Sequence, residues 1–145
     1  MDLKEKALKI AERCHKGQKR ENSKDDYIEH PKRVAEMVSQ ITDDENIICT
    51  AYLHDVIEDA ELHKPRQLTK IEEEINSLNP EILENVRLLS HNGEDYQEYI
   101  KKIAKNKILR IIKICDIIDN ISDNPTKKQK DKYRKALVIL LREIQ

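Results

Sequence analysis

Apolar residues recur at spacings of three and four along almost the whole chain, the period of helices with one buried face. Leu3, Ala7, Leu8, Ile10, Ala11 and Cys14 form the first stripe, and Gly17 is its expected stop. The polar stretch 17–29, "GQKRENSKDDYIE", reads as a loop. His30-Pro31 is expected to open a second helix with Pro31 at its first position, followed by Val34, Ala35, Val38 and Ile41 on one face. Thr42 or Asp43 is the expected cap of a third helix, which carries Ile47, Ile48, Ala51 and Leu53 and runs on through 51–60, "AYLHDVIEDA". A looser stretch at 61–67 precedes a short helix near 69–77 and another opening at Pro80. Asn92-Gly93 marks a turn. Helices are expected from about Glu94 to Ala104 and from about Lys107 to Ile121. "DNP" at 123–125 then breaks the chain before a last helix with Ala136, Leu137, Leu140, Leu141 and Ile144.

The pattern predicts an all-α fold of seven or eight helices, with residues 1–145 as a single domain. Composition agrees: two Gly and four Pro in 145 residues leave few breaks, and with no Trp or Phe the core falls to Ile, Leu, Val, Ala and some Tyr. The 27 basic and 28 acidic residues nearly cancel, which argues against a nucleic-acid or membrane-surface protein. No apolar run approaches a membrane span, and the charged start "MDLKEKALKI" is unlike a signal peptide. Cys14, Cys49 and Cys115 form no C-x-x-C pair and lie among apolar neighbours, as expected for reduced thiols in a cytoplasmic protein.

Three anomalies interrupt the apolar pattern. His54, Asp55, Glu58 and Asp59 place an imidazole and three carboxylates on an otherwise apolar helix, where residues three and four apart share a face. Asp116 sits within the most apolar segment, "IIKICDIIDNI" at 111–121, with Asp119 and Asn120 one turn on. His30 stands at a helix entrance. Buried carboxylates need a cation or donors. Two His and two Asp, namely His30, His54, Asp55 and Asp116, suit a divalent ion such as Mn²⁺, Fe²⁺, Co²⁺ or Zn²⁺, with Glu58 and Asp59 placed to orient or deprotonate water. Taken singly, each residue has a plainer reading: Asp116 pairs with Arg110 or Lys113, His30 caps a helix, and Glu58-Asp59 is a solvated helix end. His15, His63 and His91 read as solvent-facing, Tyr96 and Tyr99 as packing residues with cleft-lining as the alternative, and the basic run 127–135 as a solvated face.

The ordered segments "AERCHKGQKR", "DYIEHPKRVAEMV", "AYLHDVIED" and "IIKICDIIDNISD" resemble the HD-domain metal-dependent phosphohydrolases, and among them the small alarmone hydrolases related to the hydrolase half of RelA/SpoT enzymes. The resemblance runs from about residue 7 to residue 122. It implies a compact multi-helix fold with the metal site between helices, bound Mn²⁺, and removal of the 3′-diphosphate from guanosine tetra- and pentaphosphate. It implies His30, His54, Asp55 and Asp116 as metal ligands, and Glu58 and Asp59 as the acids that activate water. It further implies Arg20 near the base, Asn120 on the sugar or phosphate side, and Tyr27 within the Tyr-Ile-x-His-Pro motif. Glu21, Asp26 and Ile117 depart from that pattern: Lys commonly follows the Arg, Pro precedes the Tyr, and Lys or Arg follows the last Asp. Two further readings therefore stand: an HD phosphohydrolase acting on another nucleotide or a phosphate monoester, and a non-catalytic helical module binding a metal or nucleotide. The sequence leaves a homo-oligomer open.

Overall fold

A computed structural model describes residues 1–143. The described residues form nine α-helices: α1 (Leu3–Cys14), α2 (Glu29–Ser39), α3 (Glu45–Leu53), α4 (Val56–His63), α5 (Leu68–Leu78), α6 (Pro80–Leu89), α7 (Tyr96–Ala104), α8 (Lys107–Ile121) and α9 (Lys127–Arg142). A single 3-10 turn, Pro65–Gln67, joins α4 to α5. Among the described residues the only β-type pairing is an isolated antiparallel bridge between Lys19 and Asp26 in the loop before α2. Ile144, expected on the last helix, lies outside the described residues.

Helix starts follow local chemistry. Asp2, Asp44, Asn79, Asp95, Asn106 and Thr126 each accept a backbone N–H of the first turn, and Thr126 forms a reciprocal capping box with Gln129. The cap of α3 is thus Asp44, not Thr42 or Asp43; Thr42 accepts the Asp44 N–H through Oγ1 instead. Helix α2 begins two residues before Pro31, whose missing N–H costs nothing within the first turn. Ile41 falls beyond the end of α2 and is exposed. Gly17 and Gly93 have φ of +82° and +88°, which side chains with a Cβ avoid, and they close α1 and turn the chain into α7.

The largest departure from expectation is the continuous helix through 51–60. It breaks at His54-Asp55 into α3 and α4. His54 Nδ1–H donates to the Ala51 carbonyl at 2.7 Å, an acceptor that a continuing helix would give to the Asp55 N–H. A side chain thereby replaces a rung of the backbone ladder.

Two apolar clusters form the core. One gathers Val34, Val38, Ile48, Ile100, Ile112 and Leu140, chiefly from α2, α7, α8 and α9. The other gathers Ala7, Leu53, Val56, Ile75, Ile82 and Val86, from α1, α3, α4, α5 and α6. Tyr52 packs against both. The cysteines are unpaired: Cys49 and Cys115 are buried, and Cys14 is half-buried.

Candidate metal centre and cleft

The break between α3 and α4 decides the site. On a straight helix His54 and Asp55 would diverge by about 100°. At the junction they converge instead, with His54 Nε2 3.0 Å from Asp55 Oδ2. Helix α2 brings His30, and α8 brings Asp116. The Asp116 Oδ1 lies 2.8 Å from His30 Nε2 and 3.3 Å from His54 Nε2. One donor atom from each of His30, His54, Asp55 and Asp116 lies within 4.8 Å of all the others. The sequence expectation of two imidazoles and two carboxylates meeting between helices is what the geometry shows.

Each group is held in orientation. Asp119, one turn after Asp116 on α8, accepts His30 Nδ1–H at 2.6 Å and also takes the Arg33 guanidinium at 2.6 Å. His54 is fixed through Ala51, as above. Both rings therefore commit Nδ1 as donor and turn Nε2 inward. The Tyr27 hydroxyl donates to Asp55 Oδ2 at 2.5 Å, and Lys113 Nζ donates to Asp116 Oδ2 at 2.9 Å. Two Nε2 lone pairs and two carboxylates thus face one another in a buried place, an arrangement that only protons or a cation reconcile. In the protein alone, burial lowers the affinity of His54 for a proton, but the charges of Asp55 and Asp116 outweigh it and raise its pKa well above the ordinary value. His30 is raised too, its hydrogen bonds to Asp116 and Asp119 outweighing burial. The set could equally hold a divalent ion: two imidazole nitrogens and two carboxylates, with Asp119 behind His30, match the ligand types and the outer-shell partner such ions use. Asp119→Asn is expected to weaken divalent-ion affinity by about 10–100-fold without unfolding the chain. A chelator-competition titration checks this, and unchanged affinity would remove Asp119 from the centre.

The cluster lies at a cleft of about 370 Å³, within the range of small-ligand sites. Arg20, Tyr27 and Asn120 all line it. Arg20 bonds Asp123 Oδ2 at 2.5 Å and Asn120 Oδ1 at 2.8 Å, with its guanidinium 5.5 Å from the centre of the Tyr27 ring. Asn120 also reaches Asp116 Oδ1 at 3.4 Å.

Glu58 and Asp59 part company. Glu58 lines the cleft, and its Oε1 accepts the His91 N–H at 2.5 Å. Burial and the Asp55 charge raise its pKa, against the pull of that N–H. Asp59 is not among the cleft-lining residues; its Oδ2 takes Gln18 Nε2 at 3.0 Å and lies 3.5 Å from His15 Nδ1. Burial, then the Asp55 charge, push its carboxyl up to about 6. The sign follows: the folded protein binds this proton more tightly than the unfolded chain, so stability falls as pH rises from about 4 through 6. Asp59→Asn is expected to stabilise the protein by roughly 1–3 kcal/mol at pH 7.5 and to change little at pH 4. Paired thermal melts at the two pH values read this, and a lower melting temperature for the variant at pH 7.5 would contradict it.

Several expectations are corrected. His15 is buried, 2% exposed, and stacks 4.8 Å from Tyr27, because it packs behind the loop rather than on it. His91 is half-buried and lines the cleft with Tyr96 and Tyr99. Of the basic run, Gln129, Lys132 and Tyr133 line the cleft; they recur at three and four on α9, a spacing that could have flagged them. Of the departures, only Glu21 faces the cleft. Asp26 pairs with Lys19 at an exposed site, and Ile117 is fully buried in the core, where a cation would not reach the cleft. Asp119 was legible in part, as a second carboxylate one turn from Asp116 in an apolar helix.

The chain belongs to the HD domain family, whose pattern matches residues 7–145. It is similar to a guanosine-3′,5′-bis(diphosphate) 3′-pyrophosphohydrolase of Haemophilus influenzae, 30% identical over 121 residues, covering 77% of this chain and 17% of that one. It is also similar to the enzyme of the same name from Borreliella burgdorferi, 41% identical over 73 residues, covering 50% of this chain and 11% of that one. The chain thus spans less than a fifth of the length of these relatives. A solved structure described as a metazoan ortholog of SpoT that hydrolyzes ppGpp superposes with a TM-score of 0.78 over 100% of this chain and 86% of that one, at 23% identity. That likeness establishes the fold. Among the described residues no helix is long and apolar enough to cross a membrane.

Proposed function

We propose that this chain is a divalent-metal-dependent phosphohydrolase that removes the 3′-diphosphate of guanosine tetra- and pentaphosphate, with residues 1–145 as one catalytic domain in the cytoplasm. The observation that carries the reading is the convergence of His30, His54, Asp55 and Asp116 within 4.8 Å at a polar cleft. The named activity of the relatives supports the substrate. These four residues would hold the ion, most simply Mn²⁺, which supplies Lewis acidity to the phosphoryl group and acidity to water.

The chain's own residues do the remainder. Glu58 has one oxygen fixed by the His91 N–H, leaving the other to take a proton from the attacking water. Asp59 acts from behind, through Gln18 and the turn it shares with Glu58. Tyr27 and Asn120 hold Asp55 and Asp116 in place as well as lining the cleft. Arg20 presents its planar guanidinium face to a nucleobase, held in place by Asp123 and Asn120. Phosphoryl transfer needs positioning and charge stabilisation more than covalent help, and the cleft offers both. A second reading, hydrolysis of a different nucleotide, is favoured by one observation: Glu21 puts an anion on the wall of the same cleft.

The test is product analysis with Mn²⁺ over a panel of guanosine tetraphosphate, ordinary nucleotides and deoxynucleotides. Pyrophosphate from the alarmone alone supports the first reading. Orthophosphate from other nucleotides supports the second. No turnover with metal bound would leave a binding module.

A further inference from the structure

Helices α7 and α9 wall one side of the cleft with Tyr96, Lys132 and Tyr133. Lys132 Nζ lies 4.5 Å from the centre of the Tyr96 ring and 5.3 Å from that of Tyr133. Two π faces hold the ammonium, so its position is set before any ligand arrives. The other cleft cations are engaged: Arg20 bonds Asp123 and Asn120, and Lys113 bonds Asp116. Among the described residues Lys132 has no carboxylate within ion-pair distance. Burial and the charge of Lys113 lower its pKa, while the charges of Asp116, Glu21 and Glu58 pull the other way. The Glu21 carboxylate is itself taken by Gln129 Nε2, at 3.4 Å. Lys132 is therefore the cation of this cleft that, among the described residues, no carboxylate pairs, beside a second cation and two phenol rings. Multiply charged phosphate answers that environment. Lys113, bonded to Asp116 at 2.9 Å, is the lysine at the metal cluster, whereas Lys132 is within ion-pair distance of none of the four cluster residues and so stands further out, where a second phosphate group of the same ligand would lie.

We propose that Lys132, held between Tyr96 and Tyr133, binds the uncleaved 5′-diphosphate of the substrate, and that the Glu21 carboxylate lining the same cleft weakens that contact. The inference rests on the guanosine tetraphosphate reading for the identity of the ligand. It makes Lys132 a residue of affinity and selectivity, with no part in bond breaking.

The experiment is calorimetric binding to the Mn²⁺-loaded protein in a Glu58→Gln background, where turnover does not complicate the titration. The two ligands are guanosine tetraphosphate and guanosine 3′-diphosphate, which lacks the 5′ phosphates. Lys132→Met keeps the apolar stem and removes the charge. It is expected to weaken the tetraphosphate by about tenfold and leave the 3′-diphosphate unchanged. Adding Glu21→Lys to that variant is expected to restore affinity for the tetraphosphate alone, which no loss of packing would allow. Equal losses for both ligands, or no loss for either, would overturn the proposal. Because no hydrolysis is read, a wild-type protein without pyrophosphohydrolase activity would remove the activity reading and leave this binding difference to be judged by itself.

Discussion

Asp55→Ala is expected to yield a folded protein that retains no stoichiometric divalent ion and releases no measurable pyrophosphate. Asp55 Oδ2 is the point at which the cluster closes, 3.0 Å from His54 Nε2 and 3.6 Å from His30 Nε2. The Tyr27 hydroxyl is aimed at the same oxygen. Truncation leaves three donors, frees the Tyr27 hydroxyl, and removes one of the two carboxylates that draw a cation inward. Lewis-acid stabilisation contributes several kcal/mol at a phosphoryl group, and each 1.36 kcal/mol is a factor of ten, so the rate should drop by at least about a thousandfold. Metal analysis after gel filtration, a pyrophosphate assay and a thermal melt as the folding control decide the matter together. An Asp55→Ala protein with full metal content and full rate would sink the ligand assignment.

The second large effect separates holding the ion from using it. Glu58→Gln is expected to keep metal content and lose about 10²- to 10⁴-fold in rate, the range for a positioned general base. Glutamine keeps an oxygen for the His91 N–H, so the start of α4 stays in place. In the wild type, burial and the Asp55 charge raise the Glu58 pKa from its ordinary value. Activity that needs its ionised form therefore falls as pH drops through that raised value, and the acid limb should shift or vanish in the variant. The pH–rate profile reads this directly, and an unaltered rate would remove Glu58 from proton transfer.

Sequence periodicity located α8 to the residue and α6 at its first residue, because Asn106, Asn79 and Pro80 are strong local signals that tertiary packing reinforces. It drew α3 and α4 as one helix, because the apolar spacing survives the break. What ends α3 is a ring-to-carbonyl hydrogen bond from His54, which leaves no trace in an apolar pattern. Asp59 escapes the pattern for a different reason, a partner 41 positions away in the chain. It keeps its place one turn from Asp55, its N–H on the Asp55 carbonyl, but Gln18 takes its carboxylate and the side chain does not line the cleft. The four candidate ligands were legible as polar interruptions of apolar helices. The outer ring was legible only in part: Asp119 stood out as a second carboxylate but its role needed the distance to His30, His91 acts on Glu58 through its backbone, and Lys132 resembles any solvated lysine until Tyr96 and Tyr133 are seen around it.

His30 and Asp116 belong to helices packed in one apolar cluster, while His54 and Asp55 lead from α3 into α4, whose Val56 and Ile57 are packed in the other. His54 and Asp116 are 62 positions apart in the chain. An ion gripped by all four is therefore a cross-link between the two halves of the core, and it counters the entropy of closing a long loop. In mild denaturant, slippage of one cluster against the other dissolves the grip while each helix still keeps its own hydrogen bonds. Far-ultraviolet ellipticity and bound metal then report different events, and a preparation with full helical signal is no assurance of a working one.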